Sequence, residues 1–216
     1  MSQLLNEKIL LREASRFSKV GPLSTPSLYG VTDGKAVGTY LEHKFTAYLK
    51  KSFSFTEGNS AYGIDFPKLK IDVKTTSITQ PQSSCPFKSA RQKIFGLGYS
   101  LLVFVYEKKD DSKRKIGILD IKHVVFVDKS RTADYQITSE INKILKNNGN
   151  RDDLIALMQD KNLPVDNIEI EKIAEEILRR APKLGYLTIS NALQWRLQYS
   201  RIIQNAGKIN GIKRVK

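Results

Sequence analysis

Two neighbouring stretches of apolar residues constrain the fold more than any other feature of the sequence. Residues 100–107 read SLLVFVYE and residues 115–127 read KIGILDIKHVVFV, and both are rich in the β-branched and aromatic residues that favour strands. The first stretch is apolar enough that both of its faces must be covered by other parts of the chain. We therefore expect a β-sheet with residues 100–107 near its centre.

The preceding residues supply elements that could cover this sheet. Apolar residues at helical spacing predict one helix from Asn6 to Phe17 and another over residues 37–49. Residues 21–35 are rich in Pro, Gly, Ser and Thr and are expected to form a loop. A hairpin from Tyr62 to Thr76 and a short helix near Ser89–Phe95 are expected to follow.

Beyond residue 135 the sequence predicts helices. They are expected at Ser139–Lys146, Asp152–Gln159, Ile170–Arg180 and Thr188–Asn205. The order of elements is typical of the α/β (α+β) class, with a central mixed β-sheet flanked by helices. We interpret residues 1–216 as a single domain, with a core at about 30–130 and a helical, basic part at about 135–216.

Acidic residues are missing from two long segments of this basic chain. The 216 residues include 36 Lys and Arg and 22 Asp and Glu, which gives a net charge of +14. No Asp or Glu occurs from Val73 to Tyr106 or from Ile177 to Lys216. Lys and Arg bind nucleic acids because they displace the cations condensed on the phosphates. We expect double-stranded DNA as the partner; a surface that only keeps the protein in solution is the alternative.

The composition argues against several other classes of protein. The single Cys85 excludes an intramolecular disulfide and a cysteine-rich zinc site, and the two histidines, His43 and His123, leave few ligands for another zinc site. No run approaches the roughly 18 apolar residues of a membrane span, and the N-terminus lacks the pattern of a signal peptide. We therefore expect a cytoplasmic protein with no membrane association.

Two carboxylates and a lysine are expected to converge in the segment GIDFPKLKIDVKTTS, residues 63–77. Alternation along a strand places Lys70, Asp72 and Lys74 on one face. A tight turn near residues 67–69 would set Asp65 opposite Asp72 across an antiparallel pair. Carboxylates this close repel each other, and a divalent cation between them removes the repulsion. Mg²⁺ is suited to this place because it prefers one or two carboxylates together with water and phosphate oxygens.

Glu42 is expected to join this group from the preceding helix. It lies one turn after Gly38 at the edge of the apolar stripe, where a carboxylate needs a partner. A metal site of Glu42, Asp65 and Asp72 would supply one. In such a site Mg²⁺ polarises the scissile phosphate and acidifies water, and Lys74 orients that water or stabilises the developing charge. An ordinary charged hairpin is the alternative interpretation.

These residues resemble those of known nucleases. A helix with Glu, a strand with Asp, a strand with D/E-x-K, a helix and a strand together resemble the PD-(D/E)XK superfamily, the fold of most type II restriction endonucleases. More narrowly, DFPKLKIDVKT and VGTYLE are similar to segments of the family that the MutH mismatch-repair nicking enzyme shares with certain GATC-cutting restriction enzymes. The resemblance covers residues 34–107. It departs at Asp72, where that family has Glu. It also departs at Lys35, which lies one position away from the glycine-adjacent lysine of that family.

The resemblance implies a restriction-endonuclease-like core and a Mg²⁺-dependent type II restriction enzyme that cuts double-stranded DNA at a recognised sequence. It assigns Glu42, Asp65 and Asp72 to the metal, Lys74 to the reacting phosphate, and Lys93 to a catalytic role on the following helix. Two other functions stay open: a monomeric nicking enzyme of the mismatch-repair type and a non-enzymatic DNA-binding protein. A homodimer is expected if the enzyme cuts both strands of a palindrome, since two active sites are then needed.

The last predicted helix, Thr188–Asn205, carries a polar stripe. The residues that fall on this face are Asn191, Gln194, Gln198, Arg201 and Asn205. Amides and guanidinium groups contact base edges in the major groove, so the stripe is a candidate for DNA binding; a merely solvated face is the alternative. In the other acid-free segment Lys88 and Arg91 are expected to contact DNA, and the stretch QPQSSCPF is expected to be a loop that could enter a groove. Cys85 and Trp195 are expected to be buried.

Overall fold

A computed structural model of the chain describes residues 3–58, 63–85, 88–190 and 195–216. In chain order the elements are β1 (Gln3–Leu4), α1 (Glu7–Lys19), β2 (Leu23–Thr25), α2 (Gly34–Lys50), β3 (Phe53–Ser54), β4 (Ile71–Ser77), β5 (Gln82–Cys85), α3 (Arg91–Phe95), β6 (Ser100–Asp111), β7 (Ile116–Val127), α4 (Tyr135–Lys146), α5 (Arg151–Asp160), α6 (Asn167–Arg179), β8 (Thr188–Ile189), β9 (Trp195–Gln198), α7 (Ser200–Asn205) and β10 (Ile212–Arg214).

The main sheet has the strand order β10-β7-β6-β4, and β2 also pairs with β7. Strands β4 and β6 are parallel, whereas β6 and β7 are antiparallel and pair from Leu101–Val127 to Asp111–Ile116. The sheet is therefore mixed, as the sequence predicted. The expectation of a plain loop over residues 21–35 is wrong in part, because β2 lies within it and is held by backbone pairing to residues 117–119 of β7.

Strand β6 is buried on both faces and separates two hydrophobic clusters. Leu102, Phe104 and Tyr106 point to one side, where they pack with apolar residues of α1 and α2. Leu101, Val103 and Val105 point to the other side, where they pack with residues of β8, β9 and α7. The prediction of a central strand covered by helices is confirmed, and part of one cover is a second sheet.

The second sheet, of order β5-β9-β8, replaces the helix predicted at Thr188–Asn205. In β9, Trp195 and Leu197 are buried and alternate with the exposed Arg196 and Gln198, which is the period of a strand. Its backbone pairs with β5, far away in sequence, so that non-local hydrogen bonds decide its conformation. The helix prediction is therefore wrong for β8 and β9 and is confirmed only for its last part, which is α7. The prediction that QPQSSCPF is only a loop is also wrong, since this stretch contains β5. Trp195 and Cys85 are buried, as predicted.

Helices α3 to α6 form a separate cluster around a third apolar core. Its members include Ile94 of α3, Ile141 of α4, Met158 of α5 and Ile173 of α6. The predicted helices for α4, α5 and α6 are confirmed, with starts that lie earlier in the chain than expected. No helix within the described ranges has the length and apolar character that crossing a membrane requires.

Candidate active site

Asp65 reaches the start of β4 through a tight turn. Phe66 and Ile71 form an antiparallel bridge around residues 67–70, and this register sets Asp65 opposite Asp72. The Val73 N–H donates to Asp65 Oδ2 at 2.8 Å, which fixes the carboxylate against the strand. The predicted pairing is therefore present, but the first arm of the hairpin is a single bridge and not a strand; Tyr62 lies outside the described residues. Lys70 is a turn residue with φ of 52°, so its predicted place on the strand face is wrong.

Asp72 is buried, with 3% of its surface exposed, and forms an ion pair with Lys74. Lys74 Nζ lies 2.7 Å from Asp72 Oδ2, but the approach lacks hydrogen-bond geometry, and this oxygen has no hydrogen-bond partner in the described part of the chain. Burial raises the pKa of Asp72 to about 7; the Lys74 ammonium lowers it and the Asp65 carboxylate raises it. Burial lowers the pKa of Lys74, but Asp72, followed by Asp65 and Glu42, more than reverses this and keeps the ammonium charged.

Glu42 faces the same group from α2. It accepts a hydrogen bond from Thr75 Oγ1 at 3.1 Å. Burial and the neighbouring Asp65 raise the pKa of Glu42 to about 7, against the lowering effects of Lys74 and Thr75. The glycine one turn earlier makes this contact possible, since a Cβ on Gly38 would lie 2.5 Å from Thr75 Oγ1. The Thr75 side chain is thus the group that lies against Gly38.

Two carboxylates, Asp65 and Asp72, are placed to bind a cation together, whereas Glu42 does not complete a site of three. Among the described residues no group of three or more acidic, His or Cys side chains is arranged to hold a metal ion, so the predicted site of Glu42, Asp65 and Asp72 is not complete in the protein alone. Asp65 and Asp72 are nevertheless adjacent, and Asp72 Oδ2 is a buried acceptor without a hydrogen bond. Two carboxylates that leave positions for water and phosphate oxygens suit Mg²⁺, with Glu42 outside the pair.

A second D-x-K tripeptide in the chain shows what distinguishes this site. Asp120 and Lys122 on β7 also form an ion pair, at 2.5 Å, and Lys122 contacts Glu107 at 3.1 Å. These side chains are 32–38% exposed, whereas the Asp72 side chain is 4% exposed. Burial, and not the tripeptide itself, therefore distinguishes Asp72 from Asp120.

Lys93, the other predicted catalytic residue, lies in a different environment. It is buried on α3, and its backbone carbonyl accepts from the Asp134 N–H at 2.8 Å. Burial lowers the pKa of Lys93, while Asp134 raises it and Lys161 lowers it. Both of these charged neighbours belong to the helical part of the chain. The catalytic role of Lys93 therefore stays a prediction to which the described contacts add no support.

Two of the predicted DNA contacts are arginines that already have partners within the protein. Arg91 forms a two-pronged ion pair with Glu176, with Nη2 2.8 Å from Oε1, and its guanidinium lies over the Phe95 ring. The Arg201 guanidinium lies 3.7 Å from the centre of the Tyr135 ring. Arg91 therefore has a carboxylate partner in the protein and Arg201 a ring partner, and DNA contact by either arginine stays a prediction.

The remaining predicted contacts do not lie on one helical face. Gln198 is exposed on β9 and Arg201 belongs to α7, so the predicted stripe is broken. Lys88 is exposed just before α3. Asn191 and Gln194 lie outside the described residues. The sequence prediction did not include Thr75, which alternation along β4 places on the face opposite to Asp72 and Lys74, where it contacts Glu42 of α2.

Comparison with known proteins places the chain among restriction enzymes. It matches the family model described as type II restriction enzyme NspV over residues 4–214. It is 61% identical over 210 residues to the type II restriction enzyme NspV of Nostoc sp., a match that covers 97% of this chain and 96% of that protein. No solved structure matches the chain at a significant level. Because the match runs through the main sheet, the acidic cluster and the second sheet alike, the chain belongs to the NspV family of type II restriction enzymes.

Proposed function

We propose that Asp65, Asp72 and Lys74 form the catalytic centre with which this restriction enzyme hydrolyses the phosphodiester bonds of double-stranded DNA, with Mg²⁺ as cofactor. Family membership confirms the predicted class of enzyme, a site-specific deoxyribonuclease. The observation that carries the assignment of residues is the adjacent pair of Asp65 and Asp72, of which Asp72 is buried and has an oxygen without a hydrogen bond beside the Lys74 ammonium.

Asp65 and Asp72 would hold the ion together with a phosphate oxygen of the DNA. When bound, Mg²⁺ withdraws electron density from the scissile phosphate and acidifies water near it. Both carboxylates are held in position by the protein itself: the Val73 N–H donates to Asp65, and the pairing of β4 with β6 fixes Asp72. Burial of Asp72 lowers the local dielectric constant around this carboxylate and strengthens its attraction for a cation.

Lys74 supplies a positive charge that is independent of the ion. Its pKa is raised by the surrounding carboxylates, so the side chain is an ammonium at neutral pH and can donate hydrogen bonds. If a cation were bound at Asp72, the Lys74 ammonium could hold the attacking water or a phosphate oxygen in place. We assign to Lys74 the stabilisation of the charge that develops on the phosphate.

Glu42 supports the centre from α2. Its raised pKa means that it is partly protonated near neutral pH. Its hydrogen bond from Thr75 ties it to β4 one residue after Lys74. We assign Glu42 a place beside the ion, where it can accept a proton or a hydrogen bond from a water molecule.

Membership of the PD-(D/E)XK superfamily is part of this proposal. It is supported by the sequence of α2 with Glu42, the turn with Asp65, β4 with Asp72 and Lys74, and the parallel partner β6. The more specific resemblance to MutH-type enzymes stays a prediction. A homodimer is also part of the proposal, because two such centres are needed to cut both strands of a palindrome in one binding event.

Cleavage of plasmid DNA tests the assignment. The wild-type protein should cut plasmid DNA into discrete fragments with Mg²⁺ and should leave it intact with EDTA. Asp65→Ala, Asp72→Ala and Lys74→Ala should each abolish cleavage while DNA binding in Ca²⁺ is retained, and excess Mg²⁺ should not rescue Lys74→Ala. The matched controls are Asp120→Ala and Lys122→Ala, which disrupt the exposed D-x-K pair and should cut like wild type. Equal activity of the Asp72 and Asp120 variants would refute the assignment.

A further inference from the structure

We propose that the outward face of the second sheet, β5-β9-β8, reads the bases of the DNA site, with Gln82, Arg196 and Gln198 as the specificity-determining side chains. The proposal rests on the proposed function, because it supplies the substrate-recognition surface of that catalytic centre. It joins two parts of the chain that lie more than a hundred positions apart in the sequence.

The sheet has one apolar face and one polar face. Cys85, Trp195 and Leu197 are buried against the core beneath β6. The alternate positions point the other way, and Gln82 and Ser84 of β5 are paired in register with Gln198 and Arg196 of β9. On β8, Thr188 is the partner of Gln198. The outward face therefore presents a row of Gln82, Gln198 and Thr188 beside a row of Ser84 and Arg196.

This set of side chains matches the chemistry of base edges. A Gln amide can donate to and accept from the exposed edge of adenine at once, an Arg guanidinium can donate twice to guanine, and Ser or Thr can do either. A two-stranded β-ribbon is narrow enough to enter the major groove, and β5 and β9 form such a pair over four residues. Both segments that form the sheet lie in the acid-free parts of the sequence, so the strands themselves carry no carboxylate that would repel the phosphates flanking the groove.

The catalytic strand and this sheet are joined by a short and well-braced connection. Only residues 78–81 separate β4, with Asp72 and Lys74, from β5. The buried Thr76 hydroxyl contacts Gln80 O at 3.3 Å and Gln82 O at 3.1 Å, and the Tyr199 N–H donates to Pro81 O at 2.8 Å. These bonds fix the direction in which β5 leaves β4.

A side-chain contact also links β5 to the residue that follows β9. The Ser83 and Tyr199 hydroxyls lie 2.5 Å apart beneath the polar face. Cys85, at the end of β5, packs in one apolar cluster with Leu101 and Val103, the β6 partners of Asp72 and Lys74, so the second sheet lies on the face of β4 that carries these two residues. A base bound on the outward face would thus have a defined position relative to the phosphate that Asp72 and Lys74 act on.

A cleavage-selection experiment tests this proposal. Wild type and the variants Gln82→Ala, Arg196→Ala and Gln198→Ala are each given Mg²⁺ and a plasmid library with a short randomised insert, and the cut ends are sequenced. Each variant should accept additional bases at one or two positions of the site. Binding to the wild-type site in Ca²⁺ should weaken by about 5- to 150-fold per lost contact, with little change for a scrambled duplex. Gln159→Ala on α5 and Arg179→Ala on α6 are the matched controls and should keep the wild-type site.

The outcomes separate this proposal from the proposed function. If the wild-type protein cuts no member of the library with Mg²⁺, the proposed function fails. If the wild type cuts but all three variants select the same sequences with the same affinity, the face is not the reader and this inference is overturned. Equal weakening on the wild-type site and the scrambled duplex also overturns it, because it shows contact with phosphates alone. The thermal midpoints of the Arg196→Ala and Gln198→Ala variants should match that of wild type, since both side chains are exposed.

Discussion

Replacing Glu42 with glutamine should stabilise the protein at alkaline pH. The change keeps the size of the side chain and an oxygen that can accept from Thr75, but it removes the negative charge that α2 places beside Asp65. A residue that is kept for activity at the expense of stability should behave in this way.

The magnitude follows from the pKa of Glu42. Its ordinary value is 4.5, and burial and Asp65 raise the pKa in the folded protein to about 7. At about 1.4 kcal/mol per pKa unit, this interval corresponds to about 3 kcal/mol. Since the folded state binds the proton more tightly than the unfolded state, wild-type stability falls as the pH rises from 4.5 to 7. The glutamine variant lacks this loss, so its advantage should be absent below pH 4.5, grow through that window and reach about 3 kcal/mol above pH 7.

Urea denaturation in EDTA across this pH range measures the effect. Taking the difference between variant and wild type cancels the contribution of Asp72, which titrates in both proteins. Adding Mg²⁺ should reduce the difference, because a cation near Asp65 favours ionised Glu42. Glu57→Gln is the matched control; it removes an exposed carboxylate that pairs with Lys50, and it should change stability by less than about 1 kcal/mol. A difference between Glu42→Gln and wild type that is independent of pH, or a wild type that is more stable above pH 7, would refute the reasoning.

Three further changes test the surroundings of the centre. Gly38→Ala should slow cleavage with little change in DNA binding, because the added Cβ displaces the Thr75 hydroxyl from Glu42; a cleavage rate equal to wild type would contradict this. Thr76→Val should lower the free energy of unfolding by about 1–3 kcal/mol in urea, because it removes the hydroxyl that bonds to the connection between β4 and β5, whereas Thr79→Val on the exposed turn should not. Leu101→Ala should cost about 2–5 kcal/mol in the same assay, since this fully buried side chain would leave a cavity between β6 and the second sheet; a cost below about 1 kcal/mol would show that the core there is not packed as described.

The catalytic strand could be predicted from the sequence because its signals are local. The turn at Pro67, the alternation through Ile71 and Val73, and the apolar run of β6 all depend on neighbouring residues. These signals were sufficient to set Asp65 opposite Asp72. They were not sufficient to decide how Glu42 is held, since Thr75 reaches it only once α2 packs on β4.

The second sheet could not be predicted in the same way. Residues 188–205 contain apolar positions that fit a helical period, and the alternation of Trp195, Arg196, Leu197 and Gln198 covers only four residues. What selects the strand is the pairing of β9 with β5, and β5 itself has a polar sequence because one of its faces is open to solvent. Arg91 shows a related difficulty: a segment without acidic residues can still meet a carboxylate, here Glu176, from elsewhere in the chain.

The pairing of β5 with β9 has a consequence for the time at which the enzyme becomes complete during its synthesis. Before residues 195–198 are added, the ribosome has already synthesised the residues of the proposed catalytic centre, which are Glu42, Asp65, Asp72 and Lys74. At that stage β4 can already pair with β6. Until then the open edge of β5 has no partner and the connection after β4 lacks its brace from Tyr199. Contacts between residues so distant in sequence form late, because closing a long loop costs entropy before any contact compensates for it. During much of its synthesis the chain therefore contains Glu42, Asp65 and Asp72 but lacks β9, the strand that pairs with β5.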